Sequence, residues 1–113
     1  MSYRLRILPM ADADVDEVGL FIAGDNFDAA LRFYDAVERT YRQIRDHPKR
    51  WPRYDLDHRR LPELRKLSVI GFRNFLVFYH IEDDVVEIIR VLHGARDIPS
   101  VLTGESGEDD ATH

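Results

Sequence analysis

From Tyr3 to Leu8 the chain alternates, with Tyr3, Leu5 and Ile7 on one side and Arg4 and Arg6 on the other. That is the period of a half-buried strand, ended by Pro9. The period then lengthens. Between Ala11 and Ala23, Val15, Val18 and Ile22 recur at helical spacing, while Asp12, Asp14, Asp16 and Glu17 crowd the first turn. Carboxylates there suit the positive end of the helix dipole. Asp14 followed by Glu17 predicts a capping box, with Asp12 serving equally as the cap. Gly24-Asp25-Asn26 breaks this helix, and Asp25 or Asn26 caps a second one running from Phe27 to about Asp46, stopped by Pro48. Ala30, Phe33, Val37, Tyr41 and Ile44 form its apolar stripe, and Arg32, Arg39, Arg42 and Arg45 lie mostly off it. So short a link predicts an antiparallel helix hairpin.

His47 to Pro62 is irregular, with three prolines, a tryptophan, a tyrosine and many arginines. The period then drops to two. Arg65 to Val69 reads as a strand, Gly71 as a turn, Phe75 to Ile81 as a hydrophobic strand, Glu82-Asp83-Asp84 as an acidic turn and Val85 to His93 as another strand. Gly94 breaks it, and Arg96 to Leu102 forms a short helix or a docked extension. The expected architecture is α+β: an N-terminal strand, an antiparallel two-helix hairpin, a three-strand antiparallel meander and a short C-terminal helix or extension. Residues 1–102 are expected to form one domain and 103–113 a disordered acidic tail. Where the first strand joins the sheet is left open.

The last two strands are apolar on both faces. Phe75, Val77, Tyr79 and Ile81 point one way, Leu76 and Phe78 the other; Val85, Ile89 and Val91 oppose Val86, Ile88 and Leu92. An antiparallel sheet covered on one side normally has one polar face. The helix hairpin covers a single side. The second face therefore needs the C-terminal residues Ile98, Val101 and Leu102, a loop residue such as Trp51, or another polypeptide. At about 1.5–3 kcal/mol per large apolar side chain, five or six of them would drive association strongly. Cover by the chain itself and cover by a partner stand level.

Composition narrows the class. The 113 residues are 44% hydrophobic and 33% charged, too apolar for a disordered chain and too interrupted by charge for a membrane span. The N-terminal residues lack the apolar run of a signal peptide, so a cytoplasmic protein is expected. With no cysteine, disulfides, thiolate metal sites and thiol nucleophiles are excluded. The net charge of −5 hides a basic centre: residues 32–73 carry twelve basic and six acidic side chains. An anionic partner therefore stays compatible with the acidic whole.

Candidate chemistry is sparse. His93, with Arg90 and Arg96 three positions to either side, has the composition of a proton carrier beside a phosphate. The competing reading is a structural network in which Asp97 or a helix terminus satisfies the charges, and it is favoured. His80 with Asp83 and Asp84, and His47 with His58, lack metal-ligand spacing, so neither metal nor cofactor is expected. Ser68 has no base at a telling spacing. Lys49, Arg50, Trp51, Arg53, Tyr54, Arg59 and Arg60 mix cations with flat rings, as backbone-tracking nucleic-acid binders do. Packing of the two rings on the helices is the preferred alternative.

Phe72-Arg73-Asn74-Phe75-Leu76-Val77-Phe78-Tyr79, followed by Ile89-Arg90-Val91-Leu92-His93-Gly94-Ala95-Arg96-Asp97, resembles the ParE branch of the RelE/ParE toxin superfamily. The alanine-and-aspartate helix start and the His47-Pro48 helix end match as well, and the likeness spans residues 3–102. It implies a toxin encoded beside an antitoxin. The ParE branch poisons DNA gyrase, whereas the RelE branch cuts messenger RNA on the ribosome. It also implies a ParD-like antitoxin wrapped over the toxin, with nucleic acid met only through that antitoxin or gyrase.

RelE-like nucleases usually carry an arginine where this chain has Leu76 and a tyrosine near the C-terminus, and no tyrosine follows Tyr79. The resemblance therefore favours a non-enzymatic gyrase inhibitor. The alternatives are a nuclease using His93, Arg90, Arg73 and Lys66, or a non-toxic partner-binding homologue. Residues expected to contact target or antitoxin are Arg73, Leu76, Phe78, Ile88, Arg90, Leu92, His93, Arg96 and Leu102.

Overall fold

A computed structural model describes residues 2–55 and 63–104. Its elements are β1 (Arg4–Ile7), α1 (Pro9–Ala23), α2 (Phe27–Asp46), β2 (Arg53–Tyr54), β3 (Leu64–Val69), β4 (Phe72–Glu82), β5 (Val85–His93) and α3 (Ile98–Thr103). His58, Arg59 and Arg60 of the basic segment, and residues 105–113 of the expected tail, lie outside the described residues.

The strands form one mixed sheet in the order β1-β5-β4-β3-β2. β1 lies on the edge, parallel to β5, and the meander is antiparallel as expected. A short strand, β2, forms inside the segment read as irregular and extends the opposite edge. β4 starts three residues earlier than its apolar run, at Phe72.

α2 follows its stripe. Asn26 caps it, accepting a hydrogen bond from the Ala29 N–H at 3.0 Å, and Ala30, Phe33, Val37, Tyr41 and Ile44 are buried. The start of α1 differs from expectation. The helix begins at Pro9, whose missing N–H costs nothing in the first turn, and Leu8 occupies the cap position without a side-chain bond. Neither Asp12 nor Asp14 caps it, and no capping box forms. At the hairpin's close approach, a Cβ at Gly19 would meet the end of the Tyr34 side chain at 2.4 Å, so a larger residue there would displace that ring. Gly71, at φ +80°, turns β3 into β4.

The larger core lies between the hairpin and one sheet face, where Phe33, Val37 and Ile44 meet Val77, Tyr79, Val86, Ile88 and Val91. Two hydrogen bonds, one buried and one partly buried, tie α2 and the residues just after it to the sheet side. The Tyr79 hydroxyl donates to the Pro48 carbonyl at 2.6 Å, and the Ile70 N–H donates to Thr40 Oγ1 at 3.0 Å. Trp51 packs on this side as well.

Strict alternation along β5 fails. Phe78 pairs with Arg90 but Tyr79 pairs with Ile88, so Ile89 is an extra residue, a β-bulge. The bulge shifts the period by one. Ile88 and Val91 therefore both reach the hairpin-side core, while Leu92 turns to the opposite face. The expectation that Ile88 shares a face with Leu92, and Ile89 with Val91, is corrected accordingly.

The second apolar face is closed by the chain itself. Phe78 and Leu92 are buried beneath Ile98, with Val101, Leu102, Leu76 and Tyr54 packed around them. The Tyr54 ring meets Phe78 edge-on at 5.1 Å. α3 ends on Gly104, at φ +81°. Because α3 is only six residues long and buries Ile98 alone, it is a sensitive point. Ile98→Ala is expected to lower stability by about 2–4 kcal/mol in urea unfolding. Ile98→Asp should release α3 and raise binding of a hydrophobic dye as Phe78 and Leu92 are uncovered.

Candidate functional site

The predicted site residues divide between one end of the sheet and its interior. Arg73 and Asn74 fall between the Val69–Phe72 and Ser68–Leu76 pairs, a stretch of β4 that β3 does not match, and both are exposed. Across the sheet, His93 pairs with Phe75, and the two rings meet edge-on at 5.0 Å. The Gly94 N–H donates to the Asn74 carbonyl at 2.7 Å, so the Gly94-Ala95-Arg96 turn folds over the start of β4. Arg73, His93 and Arg96 are thus gathered at one end. His93 Nδ1 accepts from the Ala95 N–H at 3.0 Å, which puts the proton of its neutral ring on Nε2.

Arg90 is engaged elsewhere. Its Nε and Nη2 donate to the two oxygens of Asp14 at 2.7 and 2.9 Å, and the Val91 N–H donates to the same carboxylate at 2.9 Å. The hydrogen bond to Asp14 holds the guanidinium pKa above its ordinary value against the effect of burial. The partner of Arg90 is therefore on α1, and Asp97 instead accepts from the Ser100 hydroxyl at 2.7 Å. β1 ends opposite Ile88, which leaves the β5 edge beyond it without a strand. Asp14 fills that gap.

Lys66 pairs with Phe78 and lies over the Tyr54 ring at 5.5 Å, along the strands from His93 rather than beside it. Phe78, Ile88 and Leu92 are buried, and Leu76 and Leu102 are partly exposed. Leu102 and Val101 face Ile89, Arg90, Pro9 and Met10 across an apolar groove of about 410 Å³.

On the sheet face opposite the hairpin, a polar strip continues past α3. His80 Nε2 lies 2.6 Å from Glu87, whose other oxygen accepts from Arg6 at 2.7 Å. Asp83 and Asp84 are not partners of His80; Glu82 and Glu87 are the acids beside it.

Two features escaped sequence reading. Leu20, Phe21, Phe27 and Leu31 are large apolar residues more than half exposed around the hairpin turn. The signal was present, since all four fall off the apolar stripes. The second is an acidic cleft between α1 and α2, visible only once the helices are packed.

A mixed five-stranded sheet under a helix hairpin, with a short helix on its other face and cations at one end, defines a small α+β protein. The profile of the family described as ParE toxin of type II toxin-antitoxin system, parDE, matches residues 5–98, and the chain belongs to that family. Among solved structures it is similar to a chain of a chromosomal ParDE TA system from P. aeruginosa, with a TM-score of 0.68 and 14% identity. The match covers 81% of this chain and 96% of that one, a likeness of fold. Among curated proteins, none matches significantly. No helix among the described residues is long and apolar enough to cross a membrane.

Two stability predictions follow from the charged pairs. Asp14→Ala leaves Arg90 uncompensated and should cost about 3–5 kcal/mol in urea unfolding. Asp14→Leu with Arg90→Met should recover most of that, less about 1–3 kcal/mol for the orphaned Val91 N–H. Hydrogen bonds from His80 and Arg6 hold the Glu87 carboxyl below its ordinary 4.5. A depressed folded pKa means stability is present above the unfolded value and is lost as pH falls through the folded one. The urea midpoint should therefore drop below about pH 4.5, with a shallower drop in Glu87→Gln.

Proposed function

We propose that this chain is a toxin that inhibits DNA gyrase in the cytoplasm and is neutralised by a cognate ParD-like antitoxin. The observation that carries the choice over a nuclease is the commitment of Arg90. Of the four groups an mRNA nuclease would draw on, Arg90 is held through Nε and Nη2 by Asp14 and Lys66 is set apart over Tyr54. Phosphoryl chemistry needs cations free to stabilise developing charge around one point. Arg73 and Arg96, with His93 beside them, form an accessible cationic end suited to contact with a target protein. Phe78, Ile88, Arg90 and Leu92 act in this reading by holding that end in place. Leu76 and Leu102 supply apolar contact for the antitoxin, with the groove beside α3 as its seat.

A second reading is kept alive by one atom. With Nδ1 satisfied by Ala95, His93 retains Nε2 for proton transfer. The two readings separate in vitro. Purified chain should block gyrase supercoiling, with Arg73→Ala and Arg96→Ala together raising the inhibitory concentration at least tenfold. Absence of inhibition at saturating protein overturns the proposal. Ribosome-dependent mRNA cleavage abolished by His93→Ala would install the nuclease in its place.

A further inference from the structure

α1 and α2 do not seal against each other along their whole length. Between them lies a cleft of about 350 Å³ at the start of α1. Ile7, Val15 and Val37 give it apolar walls, and Asp12, Asp16 and Glu38 place three exposed carboxylates around it. Tyr34 also lines it and donates to Asp16 at 3.1 Å. Among the described residues, none of the three carboxylates belongs to an ion pair. α1 itself contains no basic residue.

Tyr41 lines the same cleft. It is only 5% exposed, and its buried hydroxyl has no hydrogen-bond partner. An orphaned buried hydroxyl ordinarily costs about 1–3 kcal/mol, so such groups are rare unless something completes them. Nearby Asp14 already accepts from Arg90 and from the Val91 N–H. Burial, and then the charges of Asp12 and Asp14, push the Tyr41 phenol well above its ordinary value. It stays neutral, in a strongly negative field.

What suits this place is a donor-rich cation on an apolar stem. A hydrated divalent ion has little to gain from aliphatic walls and a phenol. A guanidinium is weakly hydrated, presents five N–H donors in a plane, and brings methylenes that pack on Ile7, Val15 and Val37. We infer that the α1–α2 cleft is a binding site for an arginine side chain of a partner polypeptide, held by Asp12, Asp16 and Glu38 and by the Tyr41 hydroxyl oxygen. This site lies apart from the cationic sheet end and stands independently of the gyrase reading.

The test uses the full-length chain, ¹⁵N-labelled, titrated with Nα-acetyl-arginine amide and with its neutral isostere, Nα-acetyl-citrulline amide. Arginine should shift the amides of Asp12, Asp16, Glu38 and Tyr41, and citrulline should bind at least tenfold more weakly. Tyr41→Phe should weaken arginine binding several-fold while leaving the melting temperature equal or higher, since it removes an unpaired group. A merely structural hydroxyl would lower it. Asp12→Asn with Glu38→Gln, both exposed positions, should abolish the response. Equal binding of arginine and citrulline, shifts mapping away from the cleft, or unchanged affinity in Tyr41→Phe would overturn the proposal.

Discussion

The carboxylate of Asp14 is the point on which the arrangement turns. It reaches from α1 into the sheet and accepts three hydrogen bonds, two from Arg90 and one from the Val91 N–H. β1 is too short to pair with all of β5, and the bulge at Ile89 displaces the ladder at the same place. Without a partner there, an edge N–H and a half-buried guanidinium would both be orphaned. A buried ion pair adds little net stability compared with an apolar replacement. Its effect here is on geometry, because it ties α1 to β5 just past the bulge that sets which way the strand faces. At that point Val91 lies under the helices and Leu92 under α3.

The consequences run to the candidate site. If Leu92 faces α3, then Phe78 and Ile98 close around it and the Gly94–Asp97 connection crosses the start of β4. His93 and Arg96 are carried with that connection to the exposed Arg73. Arg90 therefore serves the cationic end without belonging to it. Its position in a motif rich in basic residues conceals a structural task, and the distinction rests on its distance from Asp14 rather than on its charge.

Local pattern made much of this legible. α2 follows from five apolar residues at steps of three and four, an asparagine cap and a proline stop, all contained within the segment itself. β3, β4 and β5 follow from period two and the turns at Gly71 and Asp83-Asp84. What stayed hidden was non-local. A four-residue edge strand carries no mark of its neighbour, so β1 could be read but not placed. Asp14 belongs to a run of aspartates read as a helix start, although α1 begins at Pro9 and leaves only Asp12 in its first turn, and nothing local distinguishes an aspartate facing water from one facing Arg90. A bulge has no period of its own, and a single extra residue reversed the reading of Ile88. The sequence placed Arg73 and His93 near the ends of β4 and β5 and Arg96 in the turn after them, but it did not show that Phe78 and Leu92 would be buried.

The doubly apolar sheet had set chain and partner level as the cover for its second face. α3 and Tyr54 resolve that for Phe78 and Leu92, which are 0% and 1% exposed. The surplus apolar surface has not vanished; it lies on the hairpin instead. Phe21 is 83% and Leu20 71% exposed at the end of α1, and Phe27 66% at the start of α2. Three-residue links keep such ends together, and adjoining apolar side chains in water carry an unfavourable hydration cost that contact would remove. The acidic cleft lies on the same pair of helices, while the cations of Arg73 and Arg96 lie at the end of the sheet. Opposite charges on separate parts of one small surface select for partners of different composition. A chain that met both would need an acidic stretch for the sheet end and a basic, apolar stretch for the helices. One that met only the sheet end would leave the hairpin open to a second protein.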